Sequence, residues 1–197
     1  MKKVKEDNKD KNLHCWRPML TGRLRIRRFC PEDWQDLYEY LSQEVTVHYE
    51  PYEPFTVSES KAEAIKRSTD WDFWAVCLKD SDKLIGNVSL SSQGFDTWEL
   101  GYVFNKNYRG KGYATEAAAA IVDHVFRQHH AHRVIANCNP MNVASWKLLV
   151  RLGMRREGLL RNNIFFKRDK SGACIWQDTY QYGILASEWS ERLCKHY

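Results

Sequence analysis

Long apolar runs are missing from this chain. The stretch Ala117 to Val122, as long as any, falls far short of the ~20 residues that a membrane-spanning helix requires, so a transmembrane helix is excluded. Met1 to Asn12 are charged and lack both an apolar centre and a small-residue cleavage site, which argues against a secretory signal and for a cytoplasmic protein. Paired cysteines are missing too. Cys15, Cys30, Cys77, Cys138, Cys174 and Cys194 are scattered, with no C-x-x-C pair and no zinc-type spacing, so neither a disulfide framework nor a structural zinc site is expected. They read as reduced thiols in core or strand positions, the alternative being one redox or nucleophilic site.

A basic body is also lacking. The net charge is +5, but residues 1 to 28 hold ten basic and three acidic residues, so the rest carries about −2. Nucleic-acid binding would need Lys and Arg spread over a folded face with interleaved aromatics. Basic residues dominate only these first 28 positions, of which residues 1–20 read as a polar, flexible leader ahead of one domain over residues 21–197. What is present suits a packed interior: 43% apolar residues over 197 positions, including eight Trp, ten Tyr and eight Phe. No internal repeat, low-complexity linker or second domain boundary is visible.

Arg23 to Arg27 alternates with the period of a half-buried strand. Pro31, Glu32 and Asp33 suit the first turn of a helix whose apolar face is Trp34, Leu37, Tyr38 and Leu41. Glu44 to Val57, with Pro51, Pro54 and several aromatics, reads as a loop or broken helix, and Ser58 as the cap of a helix running to about Ser68. Phe73 to Lys79 and Leu84 to Leu90 form a hairpin across the turn Asp80 to Lys83, and Thr97 to Phe104 is a further strand. From Tyr113 to Gln128 the apolar positions change to helical spacing in Ala-rich sequence. His132 to Cys138 is a strand, and Asn142 to Leu152 a helix closed by Gly153. Strands near Met154 to Leu160 and Ile175 to Leu185 flank a basic turn, Lys167 to Gly172.

The chemistry concentrates where the Thr97 strand turns into the Tyr113 helix. Between Arg109 and Tyr113, Gly110 and Gly112 remove the side chains that would block a phosphate from the backbone N–H groups at a helix N-terminus. A Walker loop, G-x-x-x-x-G-K-[ST], is absent, and a dinucleotide fingerprint fails because Thr115 stands at the third glycine.

Arg109-Gly-Lys-Gly112-Tyr-Ala114 resembles the [QR]-x-x-G-x-[GA] pyrophosphate loop of the GNAT acetyltransferases. Glu99-Leu-Gly-Tyr102 before it, and Asn139-Pro-Met-Asn142-Val-Ala-Ser145, Leu152-Gly-Met154 and Trp176-Gln-Asp-Thr-Tyr180 after it, stand in that family's order and spacing. The resemblance covers about residues 20 to 192. It is nearest the branch of ribosomal-protein N-acetyltransferases (RimJ/RimL-like). It implies a single-domain α/β (α+β) acyl-CoA N-acyltransferase fold, with a mixed, bent sheet of about seven strands, helices on both faces, and a splay after Thr97 to Phe104.

It implies also that acetyl-CoA is the cosubstrate; the residues themselves lead to no metal being expected. The diphosphate would rest on the N–H groups of Arg109, Gly110, Lys111, Gly112, Tyr113 and Ala114, with Arg109 and Lys111 as nearby cations. The pantetheine arm would pair like a strand with Gly101, Tyr102 and Val103, and a backbone N–H near Tyr102 or Val103 would face the acyl oxygen in the transition state. An amine with a pKa near ~8 or ~10 must lose a proton before it attacks, whereas a thiol of pKa ~8.5 leaves without much help. Glu99, acting through a water, is the candidate base; otherwise it is an exposed strand residue paired with an arginine. Ser145 is the candidate donor to the departing sulfur, or else it caps and packs its helix. Asn142 binds pantetheine or caps the same helix.

The acceptor side falls to Glu44 to Val57, where Tyr49, Tyr52 and Phe55 beside Glu44, Glu50 and Glu53 suit a cationic amine. The expected acceptor is a protein N-terminal amine, ribosomal in particular; the alternatives are a small-molecule amine such as an aminoglycoside, polyamine or amino acid, a CoA-binding module without turnover, and a ribosome-associated factor using the leader. His129, His130 and His132 suit a helix C-terminus better than a metal. The Lys167 turn, Arg155, Arg156 and Arg161 read as a solvated face, the alternative being charges near the adenine end of CoA. The oligomeric state is open between monomer and homodimer, with no membrane or nucleic-acid partner expected.

Overall fold

The alternation of Leu24 and Ile26 with arginines becomes strand β2, Leu24–Arg27, whose two leucine-type residues are buried while the arginines lie nearer the surface. The computed structural model describes residues 17–194. The expectations for residues 1 to 16, Cys15 included, lie outside the described residues. The leader's final residues do have structure: Met19–Leu20 form β1, antiparallel to β2. The sheet therefore has eight strands where the sequence suggests about seven, in the order β1-β2-β3-β4-β5-β6-β8-β7.

The remaining strands are β3 Phe73–Leu78, β4 Leu84–Gly94, β5 Thr97–Phe104, β6 Arg133–Cys138, β7 Arg155–Arg168 and β8 Cys174–Leu185. Every neighbouring pair is antiparallel except β5 and β6, which run parallel. The β7 strand is longer than the reading near Met154 to Leu160, because its pairing with β8 continues past three register shifts to Arg168↔Cys174.

Successive residues of a strand face opposite sides, and β3 divides the interior accordingly. Trp74 and Val76 join one core with Ile121, Val122 and Val125 of helix α4, Tyr113–Gln128. Ala75 and Cys77 join the other with Leu37, Tyr40 and Leu41 of α1, Trp34–Leu41, and Ala64 of α3, Val57–Thr69. Helices thus cover both faces. On the α3 side a buried polar network pins the layers. Arg67, 2% exposed, donates to Glu63 at 2.8 Å and to Asn87 of β4 at 3.0 Å, and Tyr40 donates to the same Asn87 oxygen at 2.9 Å. A guanidinium this deep is tolerated because its hydrogen bonds are met and the Phe73 ring lies 4.5 Å away.

Several elements differ from the sequence reading. Inside the segment read as loop or broken helix, Glu44–Val47 forms the short helix α2. The cap of α3 is Thr56, not Ser58: its hydroxyl accepts from the Glu59 N–H and the Glu59 carboxylate accepts from the Thr56 N–H, a closed capping box. A C-terminal helix, α6 Ala186–Cys194, packs Trp189 into the first core. Helix α5, Val143–Arg151, ends with Gly153 at φ +82°, and its Met154 and Gly153 N–H groups return to the carbonyls of Leu149 and Val150. Those two bonds are a Schellman closure, which needs the left-handed residue that glycine supplies. No helix among the described residues is long and apolar enough to cross a membrane.

Candidate active site

The parallel ladder between β5 and β6 is short. It holds Thr97↔Arg133, Trp98↔Val134 and Glu99↔Ile135 and then stops, while β6 continues along β8 to Cys138↔Tyr180. Past Glu99 the two halves of the sheet part, and the β5 edge from Gly101 to Phe104 has pairing only on its β4 side. The gap opens a cleft of about 1550 Å³. All the site residues expected from sequence line it except Glu53 and Lys111, the latter with its ammonium 5.7 Å above the Tyr108 ring.

At one end the cleft meets the start of α4. Gly112 is the N-cap, in the left-handed region at φ +81°, and has no side chain with which to cap the helix. Gly110 has a similar backbone, φ +77°. The first N–H groups of a helix find no carbonyl one turn back, so those of Tyr113 and Ala114 need an acceptor from elsewhere. Arg23 of the distant β2 hairpin fixes this turn: its Nη1 donates to the Lys111 carbonyl at 2.8 Å, and its guanidinium lies 4.6 Å from the Tyr113 ring centroid. Because a trans peptide points C=O and N–H in opposite directions, fixing the Lys111 carbonyl turns the Gly112 N–H the other way. Glu116 in turn holds Arg23 through Nε at 2.8 Å and Nη2 at 2.7 Å, and accepts from the Arg23 N–H and the Thr21 hydroxyl. Burial pushes the Glu116 carboxyl up, but those four donors outweigh it and leave it below its ordinary value. Arg109, the other expected cation, is exposed and donates to the Val45 carbonyl of α2 at 3.3 Å.

The side chains of β5 divide the chemistry between its two faces. Leu100 and Tyr102 face the α4 core. The Tyr102 hydroxyl reaches α5, 2.9 Å from Ser145 Oγ and donating to the Ser145 carbonyl at 3.0 Å. Burial, more than anything else, raises the Tyr102 phenol well above its usual value, so it remains a neutral donor. Asn142 caps α5, its side-chain oxygen accepting from the Ser145 N–H at 3.2 Å. Capping, one of the two roles open to Asn142, is the one seen.

Glu99 and Val103 face the α1 and α3 side, and Gly101 between them packs so tightly that a β-carbon there would meet Ser89 Oγ at 2.5 Å. The partner of Glu99 is not an arginine: Asn137 of β6 donates to its Oε1 at 2.8 Å.

The acceptor side is closed by the segment from α2 to α3. Tyr49 donates to the Met141 carbonyl at 3.2 Å across the cleft, and Glu53 pairs with Lys167 of β7 at 3.1 Å. Lys167 is therefore not part of a purely solvated face, and neither is Arg156, whose guanidinium stacks 4.4 Å from the Tyr180 ring. Glu50 lines the cleft between these two contacts, partly buried. His129 is the C-cap of α4, its ring 5.1 Å from Trp98. Sequence reasoning missed Arg23, Thr21 and Glu116, and it named Tyr102 for its backbone alone; no local signal ties residues 43 to 95 positions apart.

A sheet that splays beside an uncapped, glycine-led helix N-terminus defines an acyl-CoA binding fold, and comparison with known proteins agrees. Residues 23–155 match the family model described as acetyltransferase (GNAT) domain. The chain is 42% identical over 172 residues to a Bacillus subtilis protein named uncharacterized N-acetyltransferase YnaD, covering 86% of this chain and 98% of that one. A Bacillus anthracis GNAT-family acetyltransferase crystal structure superposes with a TM-score of 0.79 at 32% identity, covering 87% and 99% of the two chains. Over 114 residues, 56% of each chain, the present chain is 29% identical to the Escherichia coli [ribosomal protein uS5]-alanine N-acetyltransferase. The chain belongs to the GNAT acetyltransferases. It is an N-acetyltransferase, and its fold implies acetyl-CoA as cosubstrate.

Proposed function

We propose that this enzyme transfers acetyl from acetyl-CoA to a primary amine by direct attack in a ternary complex, and that the acceptor is a protein N-terminal amine, ribosomal proteins included. The observation that carries the transfer is the placement of an uncapped helix N-terminus and an open strand edge along one cleft, with Tyr102 and Ser145 on one face of that strand and Glu99 on the other. The Arg109 N–H, expected in the cradle, is taken by the Lys106 carbonyl at 3.2 Å, but the rest of the site fits the cosubstrate: Gly110 and Gly112 leave room for a diphosphate at the N–H groups of Gly110 to Ala114, and the unpaired edge from Gly101 to Val103 can take an amide-bearing arm. When bound, acetyl-CoA supplies an activated acyl carbon and a thiol leaving group.

The protein's task is proton handling and charge placement. Glu99 draws a proton from the attacking nitrogen, through a water. A β5 N–H near Tyr102 or Val103 stabilises the charge that grows on the acyl oxygen. Ser145, held by Tyr102, donates to the departing sulfur. The N-terminal acceptor is supported by the likeness to the uS5-alanine enzyme.

The test is thiol release from acetyl-CoA with an alanyl peptide, a seryl peptide, spermidine, kanamycin and free amino acids, with mass spectrometry of the products. The proposal expects acetylation of a peptide α-amine. Preference for a small-molecule amine would overturn the acceptor; tight CoA binding with no turnover on any amine would overturn the transfer.

A further inference from the structure

We propose that Glu50 is the residue that binds the acceptor's ammonium group and takes the first of the two protons it must lose, so that the amine meets the thioester uncharged. The inference rests on the acetyl-transfer reading and assigns the acceptor's charge state at that same site.

Most carboxylates near the acceptor side are already engaged. Glu53 is held by Lys167, Glu63 by Arg67 and Glu99 by Asn137. Glu50 lines the same cleft, and among the described residues its carboxylate takes part in no hydrogen bond or ion pair. The groups facing it are few. From α3 comes Arg67, whose guanidinium is committed to Glu63 and Asn87 and reaches Glu50 only through space. From its own segment comes the Tyr52 hydroxyl, and from β5 the Tyr102 hydroxyl, and both feel the Glu50 charge.

Glu50 shares one cleft lining with Tyr102 and Ser145, whose hydroxyls are bonded to each other. A carboxylate that lies in a cleft wall, within electrostatic reach of that pair and lacking a donor, is completed by a cation entering from the cleft. Tyr52 and Phe55, ring to edge at 5.1 Å, also line this wall and suit an ammonium ion. Burial, opposed by Arg67, raises the Glu50 carboxyl to about 7, which matches a group that accepts a proton from an amine near neutral pH and releases it to water.

The proton balance closes without another reactant. An ammonium acceptor carries three protons on nitrogen and the amide product keeps one. The first passes to Glu50 and from there to solvent. As the C–N bond forms and the C–S bond breaks, the second leaves nitrogen through Glu99 and its water, and the departing sulfur takes up one proton by way of Ser145. The sum is ammonium plus thioester giving amide, thiol and one released proton.

The experiment compares wild type, Glu50→Gln, Glu50→Asp and Glu53→Gln. Each is assayed against the amine from the panel above that the wild type acetylates fastest, across pH 5.5 to 9, with CoA affinity measured separately by calorimetry. Loss of a charge-assisted contact predicts that E50Q lowers acceptor kcat/KM ~30-fold, mainly through KM. It should also lose the fall in kcat/KM below pH 7. E50D should recover part of both and CoA affinity should stay within twofold, while E53Q, which breaks the clamp to Lys167, should lose less than E50Q and keep the fall below pH 7. An E50Q enzyme with unchanged acceptor KM and an unmoved pH profile overturns the assignment and leaves acetyl transfer standing. Equal losses in E50Q and E53Q would also overturn it, by showing only a disturbed loop. Wild type inactive on every amine removes the acetyl-transfer reading and this inference with it.

Discussion

Replacing Glu50 by Gln should make the protein more stable at pH 8 and leave it unchanged near pH 4. The carboxyl moves from 4.5 to about 7 because burial penalises its charge more than Arg67 favours it. With the folded value raised, the native state holds more protons than the unfolded chain between those limits, and stability falls as pH rises through that window. Fully expressed, a shift from 4.5 to about 7 costs about 3 kcal/mol at pH 8. Water reaching the side chain through the cleft screens part of this, leaving about 1–2 kcal/mol. Gln removes the charge at nearly constant shape, so E50Q should gain that amount above pH 7.5, a melting rise of about 3–6 °C for a chain of this size, and nothing below pH 4.5. Matched urea and thermal unfolding of both proteins at pH 4.5, 6 and 8 measures the difference directly. A stability difference that does not vary with pH, or an E50Q protein less stable than wild type at pH 8, would refute the reasoning.

Three further outcomes are expected. Gly112→Ala forces a side chain into φ +81° with its β-carbon 3.4 Å from Arg23 Nη2, so it should cost about 1–2 kcal/mol in urea unfolding and weaken CoA binding at least tenfold by calorimetry. Tyr102→Phe and Ser145→Ala break the same hydroxyl pair; each should lower kcat roughly tenfold, the double variant no more than the singles, with acetyl-CoA KM nearly constant, because the two act as one unit. Arg23→Ala should raise acetyl-CoA KM about tenfold with kcat within twofold, and Glu116→Gln in that background should recover part of the loss, both read from steady-state kinetics.

What the sequence made legible is what depends on near neighbours. The α4 helix follows from alanine content and a 3.6-residue period, and its observed limits are those expected, Tyr113 to Gln128. The glycine-led turn before it follows from Gly110 and Gly112, both found at positive φ. The capping of α5 by Asn142 was one of two open readings, and the Schellman closure at Gly153 is local in the same sense. Missed elements needed distant information. Met19–Leu20 is a strand only because Ile26 and Arg25 lie opposite, and β7 outruns its expected end because β8 keeps pairing with it. Nothing in the sequence separated Glu50 from Glu53, three residues apart in the same acidic and aromatic segment; a lysine from β7 does so by occupying one of them.

The same distant pairing resolves an electrostatic conflict at the phosphate end. Glu116 in the first turn of α4 is favourable for the helix dipole, yet a carboxylate there opposes the diphosphate that the same dipole attracts. Its depressed pKa keeps it charged near neutral pH, so protonation cannot relieve the repulsion. Arg23 and Thr21 supply the relief instead: one guanidinium neutralises Glu116 from two nitrogens and, with its remaining nitrogen, holds the Lys111 carbonyl away from the anion's approach. With the diphosphate placed as proposed, the β1–β2 hairpin would therefore belong to the cosubstrate site although none of its residues lines the cleft. If so, the penalty of Arg23→Ala contains an electrostatic part that removing the Glu116 charge returns and a positioning part that it does not. Recovery in the double variant should accordingly be incomplete and should shrink as salt screens the exposed charges. Full recovery would reduce Arg23 to a counter-ion, and no recovery would reduce it to a brace.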